Sequence, residues 1–281
     1  MNPLRRKLLL AGVAGVPGLA GATPAQVQPA ALRLGLAPFL SPSALLTVFR
    51  PLREHLERQL QQPVQAYTAR HFRALVDAVQ RADYDIALVP AHLAALAVAD
   101  WRWQPLARTI TATQVRVLVR TSGPVADAAR LRGGTVGMLD SMSLTAAVGD
   151  AWLTSQQLDG PGGARTVAMP SINSALVALA RDEVLAVVAA TTQLAGLPPA
   201  TPDGYRTLAA LDHIPGPMLI GQPDAAAATV QAWQQALLAF EPDLARPTTA
   251  ANARHTALTQ AHLPALAPYA DHLRRQLAGG R

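Results

Sequence analysis

The sequence predicts an α/β protein of two lobes, each built on a mostly parallel sheet flanked by helices. Strand and helix patterns alternate over residues 31–112 and again over residues 113–215, as in parallel sheets with helical crossovers. The chain has 281 residues, of which 50% are hydrophobic and only 4% aromatic. This composition is typical of helix-rich α/β proteins rather than of β-sandwiches, and the length allows a sizeable core.

The first lobe opens with an alternating segment over residues 32–37, which predicts a strand. A helix is predicted over residues 44–61, because Leu52, Leu56 and Leu60 recur every four positions and form one apolar face. The elements that follow are predicted at residues 64–68 (strand), 72–81 (helix) and 84–89 (strand).

The β-rich segment over residues 110–120 carries Val115, Val117 and Val119 on one face, and it predicts a strand that connects the lobes. A second crossing is predicted over residues 214–219, after which the C-terminal helices pack onto the first lobe. The remaining elements are predicted at residues 126–131 (helix), 135–139 (strand), 144–157 (helix), 165–169 (strand), 174–181 (helix), 184–190 (strand), 205–208 (strand), 225–239 (helix) and 264–277 (helix).

Residues 1–30 have the pattern of an export signal. Basic Arg5-Arg6-Lys7 precedes an apolar stretch broken by Gly and Pro, and Ala20-Gly21-Ala22 supplies a small-residue cleavage site. The stretch is too short to predict a membrane span, although an uncleaved anchor is the alternative. We therefore expect a periplasmic protein with no stable membrane insertion after cleavage. The signal fits Sec export or the twin-arginine route, with Leu4 where the latter usually has Ser or Thr.

Charge and composition argue against several kinds of site. The formal charge of +6 falls to +3 once the three basic residues of the export signal are set aside. The other basic residues are all Arg and form no stripe, so we predict no binding to nucleic acid. The chain has no Cys, which excludes disulfides and thiolate ligands. Its seven His are dispersed, so we expect neither a metal nor a cofactor.

Two loops are candidate binding segments. Leu88-Val89-Pro90-Ala91-His92 and the segment over residues 139–145 each follow a short apolar run and precede a helical pattern. The first amides of a helix are free to donate, and the helix dipole is positive at that end, so such loops attract anions. On opposite lobes they would face one cleft, and a ligand that touches both would favour closure.

Several segments, in this order and spacing, resemble the PhnD-like family, the periplasmic phosphate/phosphite/phosphonate-binding proteins of ABC transporters. The resemblance covers nearly all of the mature chain. It implies a type II periplasmic-binding-protein fold with a two-strand hinge, residues 31–112 and 216–281 forming one lobe and residues 113–215 the other. It also implies a monomer that passes a small oxyanion to an ABC permease and ATPase. The segments are residues 32–38, 50–56, 85–91, 105–108, 115–120 and 131–136.

The same resemblance implies the ligand-binding residues. Ser143-Leu144-Thr145 takes the place of the Ser-Thr-Ser-Gly-like helix start that would hold a tetrahedral oxyanion, and Pro90-Ala91-His92 that of a Gly-Pro-Ala-Ser/Thr segment. Phe39 stands where the family often uses Tyr. Structural roles without a ligand stay open as alternatives. Ser41 and Ser143 would cap helices, His92 would be a cap or a surface residue, and Phe39 would lie in the core. The predicted set is Phe39, Ser41, Pro90, Ala91, His92, Ser143, Leu144, Thr145 and Asn173.

Family members that bind aminophosphonates have an Asp after a Gly-Glu-Val-like turn, where this chain has Leu185. We therefore expect little preference for an amine on the ligand. Thr191 and Thr192 are alternative wall residues.

A hydrolase is the rival class, and Ser143, His92 and Asp140 are the trio that one cleft could share. No Gly-x-Ser-x-Gly elbow surrounds Ser143, so we predict that the protein is not an enzyme. Two alternatives remain within the same fold: a binding protein for a different small ligand, or one that reports to a membrane sensor.

Overall fold

The computed structural model describes residues 30–38, 40–194, 204–246 and 249–279. Residues 1–29, which carry most of the predicted export signal, and Phe39 lie outside these ranges. In the part of the chain that is described, no helix is long and apolar enough to cross a membrane.

Eleven strands form two sheets in the described residues. The first sheet has the strand order β11-β4-β10-β3-β1-β2, and the second has the order β7-β6-β8-β5-β9. We call the first sheet with its helices the first lobe, and the second sheet with its helices the second lobe. The strands are β1 (Leu32–Leu36), β2 (Val64–Thr68), β3 (Ile86–Val89), β4 (Gln104–Thr109), β5 (Ala112–Arg120), β6 (Thr135–Met138), β7 (Arg165–Ala168), β8 (Ala186–Ala190), β9 (Tyr205–Pro215), β10 (Met218–Gly221) and β11 (His255–Ala257).

The helices cover the faces of the two sheets. In the first lobe, α1, α2 and α8 contribute to the buried apolar cluster on one face of the sheet, and α3, α4 and α9 to the cluster on the other face. Short 3-10 turns lie at residues 128–131, 260–262 and 264–266. The α-helices are α1 (Pro42–Val48), α2 (Arg50–Leu60), α3 (Phe72–Gln80), α4 (Ala91–Asp100), α5 (Leu144–Ser155), α6 (Ile172–Ala180), α7 (Thr191–Leu194), α8 (Ala227–Leu238) and α9 (Ala267–Gly279).

The two-lobe α/β architecture agrees with the prediction, but the sheets are mixed rather than mostly parallel. Strands β2, β1 and β3 are parallel, whereas β10 runs antiparallel to both β3 and β4, and β11 antiparallel to β4. In the second sheet β7, β6 and β8 are parallel, and β5 pairs antiparallel with β8 and β9. Apart from β11–β4, every antiparallel pair includes β5 or β10, the strands by which the chain enters a lobe after a crossing, and these two strands run against the direction of the βαβ units.

Two adjacent crossings join the lobes. One runs from β4 to β5 and the other from β9 to β10. They are held together by hydrogen bonds from the amide and the hydroxyl of Thr109 to the carbonyl of Pro217, each 3.1 Å. Gly216 lies so close that a Cβ there would come within 2.1 Å of the Thr111 carbonyl oxygen. A glycine is therefore needed at this point of the hinge. The lobe boundaries given above stay a prediction.

The single helix predicted over residues 44–61 is two helices. Helix α1 ends and α2 begins at Phe49, and Pro51 lies in the first turn of α2. Proline lacks an amide hydrogen and disfavours helical backbone at the residue before it, so it suits a helix start and not a helix interior. The apolar face formed by Leu52, Leu56 and Leu60 is helical as predicted, but it belongs to α2 alone.

Candidate functional site

The carboxyl ends of the parallel strands form one edge in each lobe, and several helices begin there. In the first lobe α1, α3 and α4 follow β1, β2 and β3, and in the second lobe α5, α6 and α7 follow β6, β7 and β8. Each edge therefore presents helix N-termini with free amide donors and positive dipole ends. Two such edges, if they face each other, form a natural site for an anion.

The two loops singled out in the sequence are in contact. His92, the second residue of α4, places its Nε2 2.8 Å from the carbonyl oxygen of Met142 in the loop before α5. A carbonyl only accepts, so Nε2 carries the hydrogen and donates. The first and second lobes are thus joined by a hydrogen bond between the helix starts that the sequence predicted to share a cleft.

His92 is held as a neutral ring. Its side chain is fully buried and stacks on Phe72 at a centroid distance of 5.7 Å. Burial lowers the pKa of His92 to about 4, with a smaller opposing effect from the hydrogen bond to Met142 and a small further lowering from His272. With Nε2 as the donor, Nδ1 is a bare acceptor, and among the described residues no group donates to it.

A second histidine reaches the same loop from the C-terminal helix. His272 of α9 donates from Nε2 to the carbonyl of Ser141 over 2.7 Å, and its Nδ1 lies 3.3 Å from Oδ2 of Asp150 on α5. Burial raises the pKa of Asp150, against smaller lowering effects of His272 and Arg275. His272 is not among the predicted site residues, because no local motif indicates that a helix more than 120 residues downstream packs against this loop.

Ser143 caps α5. Its Oγ accepts a hydrogen bond of 3.1 Å from the amide of Ala146, which is the capping alternative that the sequence left open. Leu144 and Thr145 follow as the first residues of the helix and are 6% and 7% exposed. No side chain or backbone group in the described ranges shares a hydrogen bond with the Thr145 hydroxyl. The Ser143 oxygen is used as an acceptor in the cap, whereas no bond of this kind engages the Thr145 hydroxyl in the described ranges.

The other predicted residues lie at the same edges. Pro90 and Ala91 are buried at the start of α4. Ser41 precedes α1 and is exposed, its Oγ 3.5 Å from that of Ser43 and not bonded to a helix amide. Asn173 is exposed in the first turn of α6. The roles of these residues as ligand contacts stay predictions, and Phe39 lies outside the described residues.

Leu185 is not at the cleft, so its placement beside the ligand is wrong, while the small preference for an amine stays a prediction without this support. It precedes β8, and its amide donates to the carbonyl of Thr135, the first residue of β6. This is the amino end of the parallel strands, opposite to the edge where helices begin. Its side chain packs on Gly134, where an added Cβ would meet Leu185 Cδ1 at 2.3 Å. The residue at this position therefore says nothing about an amine on the ligand. Thr191 and Thr192, at the start of α7, do lie at the cleft edge.

The trio considered for hydrolysis is not assembled as a catalytic unit. Ser143 accepts from Ala146, His92 donates to Met142, and Asp140 accepts from the amide of Met142 at 2.8 Å. Each side chain is thus bonded to backbone rather than to another member of the trio. Within the described ranges no cluster of three or more His, Asp or Glu side chains is placed to hold a metal ion.

Comparison with known proteins supports the same fold. The model of a family described as the phosphonate periplasmic substrate-binding protein of ABC transporters matches residues 34–266. A comparison with curated protein sequences gives no match. Among solved structures, XAC2383 from Xanthomonas citri bound to ATP superposes with a TM-score of 0.70 at 14% identity, covering 87% of this chain and 97% of that one.

Two further similar structures are of proteins linked to phosphonates. PhnD1 from Prochlorococcus marinus in complex with methylphosphonate has a TM-score of 0.69 at 10% identity, covering 87% of this chain and 98% of its own. A binding-protein component of an ABC phosphonate transporter from Pseudomonas aeruginosa has a TM-score of 0.62 at 15% identity, covering 89% and 98%. At these identities the superpositions show the shared fold.

Proposed function

Because the chain belongs to the family of phosphonate periplasmic substrate-binding proteins of ABC transporters, we propose that it captures a small tetrahedral oxyanion of the phosphonate, phosphite or phosphate type. The observation that carries the proposal is the contact between helix starts of the two lobes, from His92 to Met142. The first amides of α4 and of α5 have no acceptor within their own helices, and neutral donors with aligned dipoles stabilise an anion.

Periplasmic proteins of this family serve an ABC permease and its ATPase with a small ligand. We infer that this chain acts as a monomer, that it does not bind nucleic acid, and that it is exported by the signal within residues 1–30. We also infer that it has no catalytic activity. Its delivery role is tested by reconstituting the permease and ATPase in proteoliposomes, where the ligand-loaded protein should stimulate ATP hydrolysis. Stimulation by neither loaded nor free protein would favour the membrane-sensor alternative.

The ligand class is tested by titration calorimetry with phosphate, phosphite, methylphosphonate and 2-aminoethylphosphonate. We expect at least one of the four to bind at micromolar concentration or tighter, with saturation at one ligand per chain. Binding of none of them, together with tight binding of an uncharged compound, would contradict the oxyanion assignment. Steady release of product from phosphonate or phosphate esters would instead favour the hydrolase.

A further inference from the structure

Buried polar side-chain atoms without a hydrogen-bond partner are rare in native proteins, and each one calls for an explanation. In the described part of this chain four such atoms occur, on Thr68, His92, Arg108 and Arg120. Arg120 Nε lies 3.3 Å from an oxygen of Asp182 and is therefore paired as an ion. The other three residues lie in the first lobe, at or next to the edge where its helices begin.

Arg108 lies in the same cross-strand row as Val89, which precedes α4 by two residues. It pairs with Met218 of β10, and Met218 pairs in turn with Val89, the last residue of β3. Directly paired residues project to the same face of a sheet. Met218 and Val89 belong to the buried cluster that also holds Ala91, so Arg108 lies on the face covered by α4.

The strand that carries Arg108 lies close to the strand that leads into α4. Strands β4 and β3 are separated only by β10, which places their backbones about 10 Å apart. An arginine side chain covers part of that gap, and His92 lies in the first turn of the helix that follows β3. Thr68, by contrast, ends β2, four strand positions from β4, and is about 19 Å away. A small ligand that touches Arg108 does not reach it.

The chemistry of the two nearer groups is complementary. Among the described residues no acceptor bonds to the Arg108 side chain and no carboxylate pairs with it, so its guanidinium keeps a buried and unused donor at Nε. His92 Nδ1 is a buried and unused acceptor. A guanidinium matches the oxygens of an oxyanion, and a bare imidazole nitrogen accepts only from a hydrogen. A ligand that satisfies both has a negative oxygen and an OH group.

We propose that Arg108 and His92 complete the oxyanion site in the first lobe, and that they select a tetrahedral oxyanion carrying a proton, such as a phosphonate monoanion. This inference rests on the proposed function. Arg108 supplies the cation that the helix starts lack, and His92 Nδ1 accepts the hydrogen of the ligand's P–OH group. A sulfonate has the same shape and charge but no proton at neutral pH, so it leaves Nδ1 unpaired in a buried site.

The test is calorimetry of the wild-type protein with methylphosphonate and methanesulfonate at equal ionic strength. We expect methanesulfonate to bind at least about a hundredfold more weakly, because the buried acceptor stays unpaired. Arg108→Gln should weaken methylphosphonate binding by roughly ten- to a hundredfold, as for loss of a charged hydrogen bond. Arg108→Lys should recover part of that loss, since it restores the charge without the fork.

Arg254→Gln is the matched control. This variant removes the same charge next to the same sheet, from an exposed arginine that is paired with Glu241 at 2.6 Å. Its affinity for methylphosphonate should equal that of the wild type. If Arg108→Gln folds, as judged by circular dichroism and its thermal transition, and binds methylphosphonate like the wild type, the inference about Arg108 is wrong while the proposed function stands. Equal affinity of the wild type for the two anions would overturn the role of His92. Failure of the wild type to bind any of the four phosphorus oxyanions named under the proposed function would instead overturn that function.

Discussion

At the residue scale, His92 couples the stability of the protein to pH. The pKa of His92 is about 4 in the folded chain and about 6.5 in an unfolded one. The unfolded state therefore binds a proton first as the pH falls. The contribution of His92 to the free energy of unfolding is complete above about pH 6.5 and is lost by about pH 4. It amounts to roughly 3 kcal/mol. We expect the difference in unfolding free energy between pH 7 and pH 4 to shrink by that amount in His92→Gln, measured by urea denaturation.

His255 supplies the control for this prediction. Burial lowers its pKa as well, and its Nδ1 lies 3.0 Å from the carbonyl of Leu237, away from the cleft. His255→Gln should also reduce the acid sensitivity, but it should leave the affinity for methylphosphonate unchanged. An unaltered pH dependence in His92→Gln would show that the ring is protonated or exposed in the folded protein.

Substitutions of Ser143 and Thr145 distinguish a helix-capping role from a ligand-binding role. Ser143→Ala removes the side-chain acceptor of the Ala146 amide, and we expect it to lower the free energy of unfolding by about 1 kcal/mol. Thr145→Val keeps the shape of a side chain whose hydroxyl has no partner in the described protein, and it should leave stability within about 0.5 kcal/mol of the wild type. Calorimetry should show the larger loss of ligand affinity in Thr145→Val. The opposite order would make Ser143 the ligand contact and Thr145 a core residue.

At the scale of the elements, the hinge depends on one glycine. A Cβ on Gly216 would lie 2.1 Å from the Thr111 carbonyl oxygen and 2.6 Å from Thr109 Oγ1, so Gly216→Ala forces the two crossings apart. We expect a loss of about 1–3 kcal/mol in unfolding free energy, as for other overpacked sites, together with weaker ligand binding. Gly160→Ala is the matched control, because no atom lies within 4 Å of a Cβ there. Equal Tm values for the two variants would contradict this account of the hinge.

Local signals were sufficient for most elements and for the helix starts. Apolar periodicity predicts most strands and helices to within a few residues, but it does not predict β4 or β11, and it ends β9 seven residues early. The loops before α4 and α5 follow from the turn and hydroxyl residues that precede a helical pattern. The errors are of two kinds. The apolar repeat predicts one helix that runs through Pro51, whereas this proline lies in the first turn of α2 and marks its boundary with α1. The strand direction at the crossings, and with it the share of antiparallel pairs, depends on how the lobes connect and not on any local pattern.

The site was predictable only where it is local in sequence. The places of Pro90, Ala91 and Thr145 at helix starts follow from the strand–loop–helix pattern, whereas His272 reaches the Ser141 carbonyl by tertiary packing that no spacing reveals. Leu185 was misplaced for a related reason, since a turn that resembles a family motif does not tell which end of the strand it occupies. Unpaired buried atoms such as Arg108 Nε become visible only when every neighbour is placed.

At the scale of the whole molecule, the two lobes share one buried apolar cluster. It holds Val89 and Leu93 of the first lobe together with Val117 and Leu144 of the second, and Leu273 of α9 belongs to it as well. Helix α9 packs on both α4 and α5. Because one core spans both lobes, neither lobe loses its packing without exposing apolar surface of the other. The molecule should therefore unfold in a single cooperative transition.

A ligand held by both lobes should shift that single transition as a whole. With methylphosphonate at a hundred times its Kd, the free energy of unfolding should rise by about 2.7 kcal/mol. For a chain of this size the increase corresponds to a Tm rise of roughly 5–10 °C. Differential scanning calorimetry without ligand and with increasing methylphosphonate measures both the number of transitions and the shift, and methanesulfonate serves as the matched anion control. Two resolved transitions, of which the ligand moves only one, would mean that a single lobe holds the anion and that the contact between His92 and Met142 plays no part in binding.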